Sequence, residues 1–461
     1  MKKAQKLIVL FLALAMCFSL VACGGSAATQ TDTTAESADT AAAGETAAAG
    51  ETATAGETNA AVEAEPAEEI TINFPCIWVG TDSKANYLAK MVEDFNAENA
   101  GSIKVVIEEQ TDYQAYRDKI RTTITTGSAP DICILDTTFD IKAYQETGKF
   151  MDLTPYLEEG WGDNFTDGCL DAWAIDGKTY ILPFESAIFP IVYNKAILAE
   201  AGWDTFPTTY DEMFRMFDDI KAAGYAAVGQ MAGDNAWTSM LWYSLIVEAI
   251  GGKDVYADGL SNPAFVEAAG VLKKMYDYTF EGAVSATASD VNGHFIARDT
   301  ALYLNGPWWI ANFYKEENNG LNEVCDVATN PVYEGGKGDG TGLVTTVQGF
   351  LACAKQDDPA KEAAVVKFLQ YISEPERVSE WALDSGAMFF VKYTPSAETN
   401  EISQKFTEIA NNAGYTILHV NGNFPTAFST EFPAAVSSLV LGQVDEQGFV
   451  DMLQTAIDNA A

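Results

Sequence analysis

The sequence predicts an α/β fold of parallel-rich sheets flanked by helices, divided into two lobes. Two observations predict it. Between Ile70 and Leu135, strand-like and helix-like stretches alternate, the pattern of a sheet with helices on its faces. The body that follows residue 69 of this 461-residue chain is also longer than one hydrophobic core usually serves, so two lobes follow.

The elements follow in order. Ile70-Thr71-Ile72-Asn73-Phe74 alternates like a strand, and Tyr87, Leu88, Met91, Val92 and Phe95 recur at helical spacing, which predicts a helix over 84–98. Ile103 to Ile107 reads as a second strand, 112–126 as a helix, and Asp131 to Leu135 as a buried strand. In such sheets ligands sit beyond the carboxyl ends of the strands, so loops 76–83, 108–112 and 136–140 are the ones to watch. Strands are expected at 180–184, 188–193, 301–304 and 349–354. Helices are expected near 209–223, 237–250, 262–280, 359–373 and 375–383, with further helical segments toward the C-terminus.

The N-terminal part reads as address and tether. Lys2, Lys3 and Lys6 precede an apolar run from Leu7 to Leu20, too short to span a bilayer comfortably and suited to a secretory signal over 1–22. Leu20-Val21-Ala22-Cys23 resembles a bacterial lipobox, which implies that the Cys23 thiol carries a diacylglyceryl group; an ordinary signal with an incidental cysteine is the alternative. Residues 23–69 are rich in Ala, Thr, Gly and Glu, repeat the unit Ala-Ala-Ala-Gly-Glu-Thr at 41–46 and 47–52, and have Val62 as their only large aliphatic residue. Such a stretch cannot bury enough apolar surface to offset chain entropy, so a disordered spacer is expected. The body would then be held on the outer face of the cytoplasmic membrane and otherwise meet water.

The formal net charge is −39, which repels phosphate backbones and disfavours nucleic-acid binding. Of seven cysteines, Cys17 lies in the signal and Cys23 in the lipobox. The other five are scattered without a C-x-x-C, and buried free thiols are expected. Two histidines, His294 and His419, lack the context of a catalytic triad or a zinc site. Gly335-Gly336-Lys337-Gly338-Asp339-Gly340 is not a phosphate-binding loop, because neither Ser nor Thr follows the lysine; it reads as a mobile surface loop. Asp163, Asp167 and Gly168 form only a fragment of a calcium loop.

Several landmarks stand in sequence: Ala129-Pro130-Asp131-Ile132, Gly148-Lys149-Phe150-Met151-Asp152-Leu153-Thr154, Asp176-Gly177-Lys178-Thr179-Tyr180-Ile181-Leu182-Pro183, Tyr193-Asn194-Lys195, Phe206-Pro207-Thr208, Asn305-Gly306-Pro307-Trp308 and Gly349-Phe350-Leu351-Ala352. In their joint order the chain from 70 to about 395 resembles the extracellular solute-binding proteins of family 1, the maltodextrin-binding type. The resemblance implies a two-lobed periplasmic-binding-protein-like fold of type II with a hinged cleft. Crossings between lobes are expected near Pro183–Ser186, 304–308 and 346–350. Lobe 1 would hold 70–183 plus 308–346, and lobe 2 would hold 184–307 plus 347–461. It implies the substrate-binding subunit of an ABC importer, a monomer that hands a sugar or oligosaccharide to membrane permease subunits, with no metal or other cofactor.

A sugar offers apolar C–H faces and a rim of hydroxyls, so its site needs aromatic planes together with carboxylates, amides or cations. The resemblance places Trp308 on a sugar ring, with Trp309 beside it, Trp237 at a helix start, and Trp78, Asp82 and Lys84 in and just beyond the first loop. Asp82 or Ser83 as a helix cap is the plainer reading of that loop. Asp136 and Asp140 follow the third strand. Glu185 stands at the first crossing, either facing the cleft or acting as a salt-bridged hinge residue. The chain departs from the maltodextrin pattern by offering Leu135 and Phe139 in the loop that carries a tryptophan, and Phe424 and Phe428 at the late aromatic position. The rival readings are a glycoside hydrolase, a binder of a polyamine, peptide or polyol phosphate on the same fold, and a sensor that signals when closed.

Overall fold

A computed structural model describes residues 68–127, 129–135, 141–318 and 320–460. Cys23, the signal, nearly all of the spacer, Asp136, Phe139 and Asp140 lie outside the described residues.

The first β-α-β unit forms as its pattern predicts. Strand β1 (Ile70–Cys76) pairs in parallel with β2 (Ile103–Glu109), Ile70 opposite Ile103. Helix α1 (Ala85–Glu98) connects them and buries Leu88, Met91, Val92 and Phe95. Helix α2 (Tyr113–Thr126) starts on Asp112, whose carboxylate accepts the Ala115 N–H at 2.8 Å, and stops at Gly127, whose φ of +100° suits glycine. The short strand β3 (Ile132–Leu135) follows, buried throughout.

Next along the chain come β4 (Ile181–Ile188), β5 (Ile191–Asn194), β6 (Ala226–Gly229), helix α3 (Trp237–Gly251), β7 (Thr300–Tyr303) and β8 (Cys325–Ala328). They are followed by β9 (Gly342–Cys353), α4 (Pro359–Ile372), α5 (Pro375–Ser385), β10 (Met388–Phe389), α6 (Glu401–Asn411), β11 (Tyr415–Leu418) and α7 (Thr426–Val440). One sheet has the order β10-β4-β9-β11, with β3 also on β9; another has the order β6-β7-β5-β8. The sheets are mixed rather than parallel-rich. β1·β2, β6·β7 and β9·β11 are parallel, and β4 and β5 run antiparallel to their main partners. In the β10-β4-β9-β11 sheet the cause is β9, which runs back along both β3 and β4 instead of following a helical crossover.

Two large cores define the lobes. The first gathers β1, α1, β3 and the first half of β4 with Phe350, Leu351, Val365, Phe368, Val378 and Trp381. The second gathers Ile191, Leu302, α3, α7 and Phe449. Successive strand residues face opposite sides, so Val192 and Tyr303 enter a third cluster with Trp309, Ile310, Phe313, Cys325 and Phe406.

This distribution corrects two expected assignments. Segment 308–346 packs with the second lobe, because β8 hydrogen-bonds to β5 and Trp309 to Phe313 lie against Tyr303. Residues 347–391 belong to the first lobe, because the second half of β9 pairs with β3 and β4 and α4 and α5 cover it. The chain therefore does not cross at 304–308. It crosses within β4, within β9, and after α5, where β10 pairs Met388 with Ser186.

The Gly335–Gly340 stretch is not a free surface loop. Lys337 and Gly338 donate backbone N–H groups to the Ile250 and Ala249 carbonyls at 2.9 and 3.1 Å. A Cβ on Gly336 would stand 2.3 Å from the Ala249 oxygen, so glycine is what permits the approach. Asp167 is engaged by Lys392 at 2.7 Å. The five cysteines are free and buried.

Candidate functional site

The first group of expected site residues meets where β4 leaves the first lobe. Pro183, Glu185 and Ser186 sit at shifts in the β4·β9 register, and the irregularity leaves Glu185 opposite Gly349 and Phe389. Glu185 is only 1% exposed. Its Oε1 lies 3.2 Å from the Lys84 ammonium, which also lies 3.1 Å from Asp82 Oδ1. Burial raises the Glu185 pKa, against the pull of Lys84. Burial also works against the Lys84 cation, yet Glu185 and Asp82 together hold its pKa above the usual range. Asp82 Oδ1 accepts the Lys84 backbone N–H at 2.9 Å, so it both orders the entrance to α1 and balances the ammonium.

Glu185 is thus a buried, salt-bridged residue at the crossing, and Lys84 is closed in at 3% exposure. Asp82, with 30% of its side chain exposed, keeps the solvent access that contact with a solute needs. Trp78 is corrected to a packing residue. Its indole lies edge-on to Trp381 at 5.5 Å and tilted on Phe184 at 6.1 Å, 2% exposed, and a Cβ on Gly349 would come within 3.0 Å of it. The strand reaches Cys76, so Trp78 follows too closely to swing out into a loop.

The second group lies on the other lobe. In Asn305-Gly306-Pro307-Trp308, the Asn305 side-chain Oδ1 accepts the Gly306 N–H at 2.8 Å, and Pro307 opens a 3₁₀ run to Tyr314. The Trp308 indole folds back over Gly306; a Cβ there would lie 2.1 Å from Cζ3. Trp308 stays partly exposed at the margin of the second and third clusters, and Trp237 occupies the same margin. Trp237 is placed by a tight loop: Asp234 and Ala236 both have φ above +50° or at it, which costs non-glycine residues energy and is often retained where function needs it. Trp309 is corrected to packing, buried among Tyr303, Phe313 and Phe295 at 4.9 to 6.1 Å. Phe424 and Phe428 are corrected likewise. They stack on each other at 4.9 Å inside the second core and offer no open face.

Sequence reading missed Phe189. It stands just past β4, edge-on to Trp308 at 6.1 Å and tilted on His419 at 5.9 Å. The signal available was a Phe-Pro pair directly after a crossing strand. Asp82 thus lies on the first lobe as a partly exposed carboxylate, and Trp308 and Trp237 lie on the second as partly exposed indoles.

The solved structures most like this one include a chitin oligosaccharide binding protein, at 21% identity and TM-score 0.76 over 85% of this chain and 99% of that one. They also include the solute-binding protein RafE in complex with raffinose, at 20% identity and TM-score 0.67 over 85% of this chain and 99% of that one. Likeness at this identity shows the fold, that of two-lobed periplasmic-type binding proteins. A family model described as bacterial extracellular solute-binding protein matches residues 90–416, and the chain belongs to that family. Among relatives by sequence, a binding protein of Brucella abortus (strain 2308) is 28% identical over 236 residues, 50% of this chain and 56% of that protein. The diacetylchitobiose binding protein DasA of Streptomyces coelicolor is 24% identical over 298 residues, 62% of this chain and 67% of that protein. The match thus spans little more than half the length of the first of these relatives.

Proposed function

We propose that this chain is the substrate-capturing subunit of an ABC importer and that it takes a sugar or short oligosaccharide between its lobes. The supporting observation is the Trp308 indole, folded over Gly306 and left partly open at the edge of the second lobe, where Trp237 packs against the same two clusters. A flat, half-exposed indole matches the C–H face of a sugar ring, and Asp82 supplies a hydroxyl acceptor from the facing lobe. Relatives named for diacetylchitobiose, chitin oligosaccharide and raffinose support the same ligand class. Closure around the ligand is stabilised by contacts that exist only in the closed state. Nothing in this cycle breaks a covalent bond. Delivery goes to a membrane permease, and Cys23 carries the lipid that keeps the protein at the outer face of the membrane. Where the spacer begins and ends does not alter the chemistry of the cleft.

The test is a thermal-shift series with diacetylchitobiose, raffinose, maltose and xylo-oligosaccharides, since a ligand bound only to the native state raises the melting temperature. Trp308→Ala is expected to abolish the largest shift while the unliganded melting temperature stays near the parent value. A full shift in that variant removes Trp308 from the site. New reducing ends released from any of these sugars would replace binding by hydrolysis.

A further inference from the structure

We propose that His419 is a positioning residue for the aromatic edge of the cleft: its uncharged ring holds Phe189, and through it Trp308, in register with strand β9. The ring is buried and lies 5.9 Å from Phe189, which in turn lies edge-on to Trp308 at 6.1 Å. Phe189 is buried with the second core, yet it borders a cavity of about 280 Å³ with Pro190, Leu343 and Ile409. A ring with open space beside it is fixed by the contacts it does make. His419 is therefore in a position to decide where Phe189 rests.

His419 is itself well anchored. Its backbone N–H donates to the Thr345 carbonyl of β9 at 2.8 Å, and its Nδ1 meets the Asn421 side chain. Val420 donates to the Ser244 hydroxyl of α3 at 3.1 Å, which fixes the turn against the helix. Thr345 also donates its hydroxyl to the Ala187 carbonyl on β4, at 2.8 Å. The backbone that carries the ring is thus tied to β9, and β9 in turn to β4. No acidic or basic side chain acts on its titration. Burial lowers the pKa to about 4, with the Asn421 side chain and the Met240 carbonyl of α3 opposing. Protonation would place an uncompensated charge beneath Phe189.

The link from Trp308 to a ligand rests on the function proposed above; the positioning role does not, and its test needs no ligand. Acrylamide quenching of Trp308 is read as the difference between each protein and the same protein carrying Trp308→Phe. His419→Ala is expected to increase that quenching, and His419→Phe, which keeps a flat ring, to restore it. In the parent the quenching should rise as pH falls toward 4, and in His419→Phe it should stay flat. If His419→Ala does not fold, His419→Phe and the pH series decide. Unchanged quenching in His419→Ala, or a pH profile shared by parent and His419→Phe, overturns the proposal. Should Trp308→Ala keep full sugar binding while these quenching changes occur, the functional reading fails and the positioning role stands.

Discussion

Glu185, Lys84 and Asp82 show how a single residue's surroundings decide its role. Lys84 is enclosed with one carboxylate on each side, so removing it leaves Glu185 as a buried charge without its cation. Breaking such a pair typically costs about 3–5 kcal/mol. Lys84→Ala should therefore lower the urea midpoint strongly, whereas Glu185→Gln, which removes a charge that burial already disfavours, should lower it much less. Equal losses would show that burial does not already disfavour the Glu185 charge. His419 gives a prediction of the opposite kind. Its folded pKa of about 4 lies below the ordinary histidine value of 6.5, so between these pH values the unfolded chain binds more protons. Stability should rise with pH across that window, by on the order of 3 kcal/mol at most, and be complete above it. The difference between parent and His419→Phe in urea unfolding, measured from pH 4 to 7, isolates this contribution from the carboxylates. At this scale Asp82, Lys84 and Glu185, named from the sequence, do meet in the structure, but their cover was not readable from it. Trp78 and Trp309 carry the same side chain as Trp308. Only the length of β1 and the position of Tyr303 turn them inward.

At the scale of elements, regular periodicity was readable and irregularity was not. Helices α1, α4 and α5 fall where the apolar spacing places them, because each has one buried face. The first expected strand ended at Phe184, where Glu185 interrupts the apolar run; the structure carries β4 on to Ile188 through register shifts, and the second expected strand, 188–193, is β5, which starts only at Ile191. β9 was seen only from Gly349 onward. Its first half, with Thr345, Thr346 and Gln348, lies between the lobes, where neither face belongs wholly to a core, so the hydrophobic signal fades while the ladder continues. β6 and β8 escape notice although β3, β5 and β7 are equally short, because Ala226, Ala227 and Gly229 in one and Asp326 and Ala328 in the other leave little apolar signal. The glycine-rich stretch belongs here too, because its composition is that of a loop while its glycines serve close packing on α3. Gly336→Ala should therefore destabilise the protein, since the new Cβ meets the Ala249 carbonyl. Gly335→Ala, which meets nothing within 4 Å, should cost only about 1 kcal/mol for its φ of +84°. Chemical denaturation of the two variants side by side checks this. Similar midpoints would mean that the stretch does not dock in solution.

At the scale of the molecule, the two-lobed arrangement was legible from length and from landmark order, while the attachment of two segments was exchanged. The reason is physical: strand partners are chosen over long sequence distances, β8 joining β5 and β9 joining β3 and β4, and local apolar patterning does not encode those partners. The attachment found places Gly386 of the first lobe against Pro307 of the second. A Cβ on Gly386 would lie 3.3 Å from the Pro307 carbonyl and from Ile310 Cβ, and its φ is +72°. This is a contact between lobes one residue away from Trp308. Gly386→Ala should therefore act in two ways at once. It should lower stability by about 1–2 kcal/mol through its left-handed backbone. It should also push on Pro307 and so weaken binding of whichever panel sugar gives the largest thermal shift, beyond what lost stability explains. Titration calorimetry well below the melting temperature separates the two effects, because a native protein with an undisturbed cleft binds with parent affinity however marginal its fold. X-ray scattering with and without the sugar then shows whether the variant still compacts on binding. Parent affinity together with parent compaction would mean that the Gly386–Pro307 contact lies off the path of closure.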